Sequence, residues 1–212
     1  MIEAGLTFPA IRKGTREATG GLITDIDGCL ISHDHGDHAK SAARIMKAGI
    51  NCYMTAPTAA ALNLSGHRLK IIEPMKQFDL AGWRVLPFDT IHDADGSVGF
   101  LIQSPGGDKI LFATDTAYIK NRFNGLTHIM IEANYDPKIL EENIKAAEYP
   151  RAIRNRVVKN HMSIQTTLET LRANDLSAVK EIHLIHLSRD NADPELFKRM
   201  AQEATGKPVY IS

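Results

Sequence analysis

The sequence predicts an α/β sandwich whose sheets are covered by helices. Short apolar strand patterns alternate with helical ones, a central block of strands is punctuated only by turn residues, and no repeat, low-complexity run or linker splits the chain. At 212 residues the chain suits a single domain over 1–212 with a sizeable core. Hydrophobic residues are 43% and charged residues 24%, the balance of an ordinary globular protein rather than a disordered one.

Taken in order, residues 1–5 read as a strand end and 8–18 as a helix that Gly20-Gly21 breaks. Cys29-Leu30-Ile31 is a short buried strand, and 39–48 carries a helical pattern through Ala42, Ala43, Ile45 and Met46. Residues 51–54 form a strand, followed by a small helix to Leu62 with Thr55 or Thr58 able to cap it. The pattern then shortens to strands at 69–72, 77–80, 83–88 and 98–103, separated by turn signals such as Ala81-Gly82 and Asp95-Gly96. Pro105-Gly106-Gly107-Asp108 turns the chain into a strand at 109–112, and Ile129-Met130-Ile131 is a buried strand running into Glu132. Helices are expected at 137–147, 163–173 and 194–204, with a strand at 181–186 before the last of them.

Formal net charge is zero, so nucleic-acid binding must come from a local patch or from metal ions. Cys29 and Cys52 sit in apolar strands and are expected as buried reduced thiols. No signal peptide is visible, and no apolar run approaches the ~20 residues that span a bilayer. A cytoplasmic protein with no membrane partner is expected.

The densest chemistry lies in Ser32-His33-Asp34-His35-Gly36-Asp37-His38, with three imidazoles and two carboxylates in seven residues. Strand alternation points His33 and His35 the same way, and Asp37 and His38 fall where the strand hands over to a helix. Other candidates are individually plain. His92, after a strand, has the ordinary reading of a satisfied surface residue. Asp115, just past a strand, commonly caps a helix, although strand ends are also where α/β sites sit. His186 ends an apolar strand with His183 on the opposite face, and either could be a core imidazole bonded to backbone. His161 precedes a helix as a loop residue. His67 and His128 have no acidic or imidazole neighbour at useful spacing and are read as structural.

As an ordered set these residues resemble the metallo-β-lactamase superfamily, whose signature is H-x-H-x-D-H, a later His, a bridging Asp and a final His. The matching positions are His33, His35, Asp37 and His38, then His92, Asp115 and His186. The resemblance covers nearly the whole chain and implies a four-layer αββα sandwich. His35 stands where the di-iron flavoprotein branch has Glu, and the late ligand is Asp115 rather than Cys; both departures speak against a secreted β-lactamase. Ile131-Glu132-Ala133-Asn134, Asn160-His161-Met162-Ser163 and His186-Leu187-Ser188-Arg189-Asp190-Asn191 resemble the nuclease-like members. Closest in look are the YycJ-like bacterial exonucleases, with transfer-RNA 3′-processing enzymes as cousins. In that group a Glu and a His at the positions of Glu132 and His161 support catalysis.

The resemblance implies two divalent ions per chain, zinc or manganese with iron also suited to the ligands. His33, His35 and His92 would hold one, Asp37, His38 and His186 the other, and Asp115 would bridge them. A hydroxide shared by the ions would attack a phosphodiester, Asp37 would help hold it, and His161, oriented by Glu132, would protonate the departing oxygen. Lys145, Arg151, Arg154, Arg156 and Lys159 precede His161 and read either as a solvated helix face or as a clamp on the phosphate backbone of a DNA substrate. Glu3-Ala4-Gly5 occupies the family's D-A-G turn with Glu in place of Asp, almost at the first residue. The first N-terminal β-hairpin is therefore expected to be missing, and the open sheet edge to invite a homo-oligomer. The leading expectation is a DNA exonuclease. The alternatives are hydrolysis of a small ester, lactone or thioester by the same metal pair, and a trimmed, non-catalytic accessory subunit.

Overall fold

The computed structural model describes residues 1–146 and 151–212, the side chain of Arg151 excepted. The chain divides into two compact units, Met1–Asp89 with Ala94–Val98 and Thr90–Asp93 with Gly99–Ser212.

In the first unit, α1 (Phe8–Thr19) begins with Pro9, whose missing N–H is no loss there. It ends at Gly20, whose φ of 71° lets its N–H close on the Arg16 carbonyl. Strands β1 (Gly28–Leu30), β2 (Asn51–Met54) and β3 (Leu69–Ile71) form a parallel sheet in that order, with Cys29 opposite Cys52 and Cys52 opposite Leu69. Parallel neighbours need crossovers. These are α2 (Gly36–Ala39) with α3 (Ala42–Lys47), and then α4 (Ala56–Ala61), which Thr55 caps by accepting from the Thr58 N–H.

The single helix expected over 39–48 is interrupted at Ser41. Its N–H donates to the Ala4 carbonyl (2.9 Å) and its hydroxyl to the Leu6 carbonyl (2.6 Å), so the chain is drawn onto the N-terminal turn instead of continuing its helix. Met1–Glu3 runs beside β1, with the Leu30 N–H on the Met1 carbonyl (2.9 Å) and the Glu3 N–H on the Leu30 carbonyl (2.8 Å). Strands β4 (Phe78–Leu80) and β5 (Trp83–Asp89) form a hairpin. Its two-residue turn puts both Ala81 (φ 49°) and Gly82 (φ 86°) in the left-handed region that such tight turns require. Ile11, Ile23, Cys29, Ile31, Ile45 and Met54 belong to the core of this unit.

In the second unit, β6 (Val98–Gln103) pairs antiparallel with β7 (Lys109–Ala113). Then β8 (His128–Glu132), β9 (Glu181–Ile185) and β10 (Val209–Ile211) add in parallel, giving the order β10-β9-β8-β7-β6. The helices are α5 (Pro137–Ala146), α6 (Arg151–Asn160), α7 (Ile164–Arg172) and α8 (Pro194–Thr205). Ala147, the expected end of α5, lies outside the described residues. The inner strands β8 and β9 bury Ile129, Ile131, Ile182 and Leu184, as strands covered on both faces must.

The register sets Ala113 beside Ile131 and Ile131 beside Leu184. The C-terminal ends of β7, β8 and β9 therefore lie side by side, the edge where open α/β sheets carry their chemistry. β10 was not anticipated, because three residues carry too little periodicity to be read. Among the described residues no helix is long and apolar enough to cross a membrane.

Candidate metal centre

Three of the expected site residues leave those adjacent strand ends. Glu132 closes β8, Asp115 lies two residues past β7, and His186 lies one past β9. Asp115 (φ 47°) and His186 (φ 55°) both adopt the left-handed backbone that side chains other than Gly rarely take. For His186 this is why the strand expected to include it stops at Ile185. Such outliers persist only where surrounding structure over-determines them, and they concentrate at functional sites.

The side chains converge. His186 Nδ1 lies 3.0 Å from Asp115 Oδ1 and 3.1 Å from Glu132 Oε1. Glu132 Oε1 also accepts from His161 Nδ1 at 2.7 Å, while its Oε2 accepts the backbone N–H groups of Thr116 (3.0 Å) and Met162 (3.3 Å). Glu132 is fully buried, and these donors supply the hydrogen bonds a buried carboxylate requires. The His161 and His186 rings stack at 5.5 Å. Asp115, Glu132, His161 and His186 each offer a ligand atom within 4.8 Å of the others, a group able to hold an ion.

His92 reaches the same cluster from the Thr90–Asp93 segment. That segment is tied to the post-β7 loop through the Ile91 N–H on Thr116 Oγ1 (2.9 Å) and the Ala117 N–H on the Ile91 carbonyl (2.9 Å). His92 Nδ1 faces the Asn160 carbonyl at 3.2 Å, which can only accept, so Nδ1 carries the proton. Nε2 then presents its lone pair 3.4 Å from Asp115 Oδ2. An imidazole whose far nitrogen is committed to a backbone carbonyl is the usual arrangement of a metal-ligating histidine. The donor set of imidazole nitrogen and carboxylate oxygen fits zinc, manganese or iron.

Sequence reasoning gave no role to three residues beside the site. Asn134 Nδ2 donates to the His186 carbonyl (2.9 Å), Asp93 Oδ1 lies 3.3 Å from His92 Nε2, and Asn160 Nδ2 donates to Asp93 Oδ2 (2.7 Å). Asp93 and Asn160 directly adjoin His92 and His161 in the chain, which was the available signal.

The first unit assembles its own histidine cluster. The His33 and His35 rings are 4.7 Å apart and those of His33 and His38 4.3 Å; β1 ends at Leu30, so loop and helix geometry rather than strand alternation brings them together. His33 Nδ1 pairs with Ser32 Oγ at 2.8 Å. His33 and His38 are buried, whereas the Asp37 carboxylate is largely exposed, 3.5 Å from His38 Nε2. Glu3, in the left-handed region at φ 66°, spans this loop. Its Oε1 accepts the Ser32 N–H (3.1 Å) and its Oε2 lies 3.4 Å from His38 Nδ1. Glu3 therefore ties the N-terminal turn to this loop.

Of the basic residues before His161, Lys145 and Lys159 are exposed. Arg154 is ion-paired with Glu141, and Arg156 Nε lies 3.4 Å from Asp93 Oδ2. The Arg151 side chain lies outside the described residues.

Comparison with known proteins identifies the fold and the family. A curated relative, the exodeoxyribonuclease YycJ of Bacillus anthracis, is 26% identical over 211 residues, covering 92% of this chain and 76% of its own. Among solved structures, the metallo-β-lactamase fold protein YhfI from Bacillus subtilis superposes with a TM-score of 0.72 at 15% identity, over 100% of this chain and 83% of that one. A diphosphatase of the PhnP family superposes with a TM-score of 0.64 at 17% identity, over 100% and 76%. These likenesses show the metallo-β-lactamase fold, whose members include metal-dependent hydrolases. The model of the beta-lactamase superfamily domain matches residues 3–187, and this chain belongs to that family.

Proposed function

We propose that this protein is a dinuclear metal-dependent phosphodiesterase that degrades DNA as an exonuclease. The observation that carries the reading is the Glu132–His161 pair. A fully buried carboxylate holds Nδ1 of an imidazole that is 20% exposed, beside Asp115 and His186. An imidazole oriented in this way can protonate a departing sugar oxygen. The similarity to a protein named an exodeoxyribonuclease supports the same substrate class.

In this reading His33, His35 and His92 would hold one ion and Asp37, His38 and His186 the other, with Asp115 shared. When bound, the pair supplies an activated water and neutralises charge developing on the phosphoryl group. Glu132 keeps His161 Nδ1 engaged, so Nε2 faces the leaving oxygen and delivers its proton there. Asp37, exposed beside His38, orients the attacking water. Lys145, Arg154, Arg156 and Lys159 contact backbone phosphates. For Arg154 and Arg156 this exchanges exposed carboxylate partners, whose pairing contributes little, for phosphates.

The test is incubation of manganese- or zinc-loaded protein with end-labelled single- and double-stranded DNA, alongside a lactone and a thioester. Progressive shortening of DNA is expected. Turnover of the lactone or thioester with intact DNA would overturn the proposal.

A further inference from the structure

The first unit carries a cationic track that the chemistry above does not use. One groove of about 610 Å³ runs along α1, with Phe8, Pro9, Leu22 and Ile23 among its apolar lining and Arg12, Lys13 and Arg16 among its polar lining. A second of about 430 Å³ shares Phe8 and Ala48 with the first and adds Arg44 and Lys47. A third of about 500 Å³ shares Lys47 with the second and continues to Arg68. The three adjoin at these shared residues, across α1, the end of α3 and the loop before β3.

Not one lining residue of the three grooves is acidic, although the chain as a whole carries 25 acidic and 25 basic residues. Arg12, Lys13, Arg16, Arg44 and Lys47 are exposed. Among the described residues the only ion pair made by these five is Lys13 with Glu17 on the same helix, at 3.7 Å. Leu22, on the groove wall, is 62% exposed.

We infer that this track binds single-stranded DNA, with phosphates on the cations and bases against the apolar floor. The choice of a nucleic acid over another polyanion rests on the proposed nuclease function. Clustered cations with no acidic neighbour in the lining favour an anionic ligand, and the apolar residues that line the same grooves favour one that also has flat apolar faces to bury. A single strand has both, and a duplex hides its base faces. Such a surface holds the strand by its backbone regardless of sequence, as an exonuclease needs.

The test is fluorescence anisotropy with a labelled single strand of ~15 nucleotides, within the site sizes such surfaces use, in a chelator so that no hydrolysis enters. The R12A/R16A and R44A/K47A variants should each weaken binding at least about fivefold, and the slope of log affinity against log salt should flatten by about 0.7 per cation removed. The control K70A/R84A, which removes exposed cations outside the track, should bind as the parent does. Melting curves by circular dichroism establish that each variant is folded. Equal losses in the control, tighter binding to duplex than to single strand, or binding to phosphatidylserine vesicles without DNA binding would each overturn the inference. DNA cleavage with binding indifferent to the track removes this surface and leaves the nuclease reading. Track-dependent binding without cleavage under any metal removes the nuclease reading and leaves the surface.

Discussion

Glu132 and His161 lie 29 residues apart in the chain, and their side chains meet at 2.7 Å between Oε1 and Nδ1. Because Glu132 Oε2 is already occupied by two backbone N–H groups, the carboxylate cannot rotate away, and the imidazole inherits a fixed direction. Removing His161 should therefore lower turnover on DNA by about 10²–10⁴-fold, the usual contribution of a positioned acid, while leaving metal content and melting temperature near the parent values. A fully active H161A protein would rule out the proton-donor role.

Asp115 meets His92 and His186 through its two oxygens, at 3.4 Å and 3.0 Å. In the proposed assignment Asp115 is shared by the two ions, so it should be needed for both. D115A should lose more than the ~10–100-fold in metal affinity typical of outer-shell losses, with activity falling in step. Equilibrium dialysis against zinc or manganese, followed by elemental analysis, measures this directly.

Gly5 sits where an added Cβ would lie 1.5 Å from the Asp37 backbone oxygen. That oxygen cannot swing aside, because the Ala4 N–H bonds the neighbouring His38 carbonyl at 2.7 Å. G5A should destabilise the protein by more than about 4 kcal/mol, or displace the Asp37-His38 turn and its chemistry with it. Chemical denaturation and metal content of the same variant report the two outcomes.

Cys29 and Cys52 face each other across β1 and β2, both fully buried and free. The hydrogen bond to Cys52, and then burial, push the Cys29 thiol well above its usual range; the same bond lowers Cys52, which as a thiolate would accept it. Neither should react with a thiol reagent at pH 8 in the folded protein, and both should react on unfolding. Because the Cys29 value is raised in the folded state, its share of stability is complete below the ordinary thiol range, about 8.5, and is lost as pH climbs beyond it.

Asp108 accepts a hydrogen bond from Lys180 Nζ at 2.6 Å, which is the main reason its carboxyl titrates below the ordinary range. A lowered carboxylate stabilises the fold above the unfolded value of about 3.9 and loses that share as pH falls through the folded one. The melting-temperature gap between parent and D108N should thus be present at pH 7, close towards pH 3, and shrink with added salt, since the pair is exposed.

Much of the site was legible because its residues announce themselves locally. The spacing of His33, His35, Asp37 and His38 needs only a loop after a strand, and Asp115, Glu132 and His186 follow apolar runs whose ends can be read by eye. The break of the 39–48 helix at Ser41 was not legible. It depends on Ala4 and Leu6, more than thirty residues earlier, accepting the Ser41 N–H and hydroxyl. The ion pairs of Arg154 with Glu141 and Arg156 with Asp93 were equally hidden, since nothing local reveals which carboxylates a helix will face.

By itself the sequence determined the family, the candidate ligand residues and the strands they follow, because residue identity and period-two patterning are local properties. Only the tertiary structure decided that β7, β8 and β9 pair in parallel with a register that lines up their C-terminal ends. It also decided that Asp115 and His186 take left-handed backbone there, and that Glu132 is sealed from water with His161 as its partner. Those outcomes follow from strand pairing and burial between segments distant in the chain, which no local window contains.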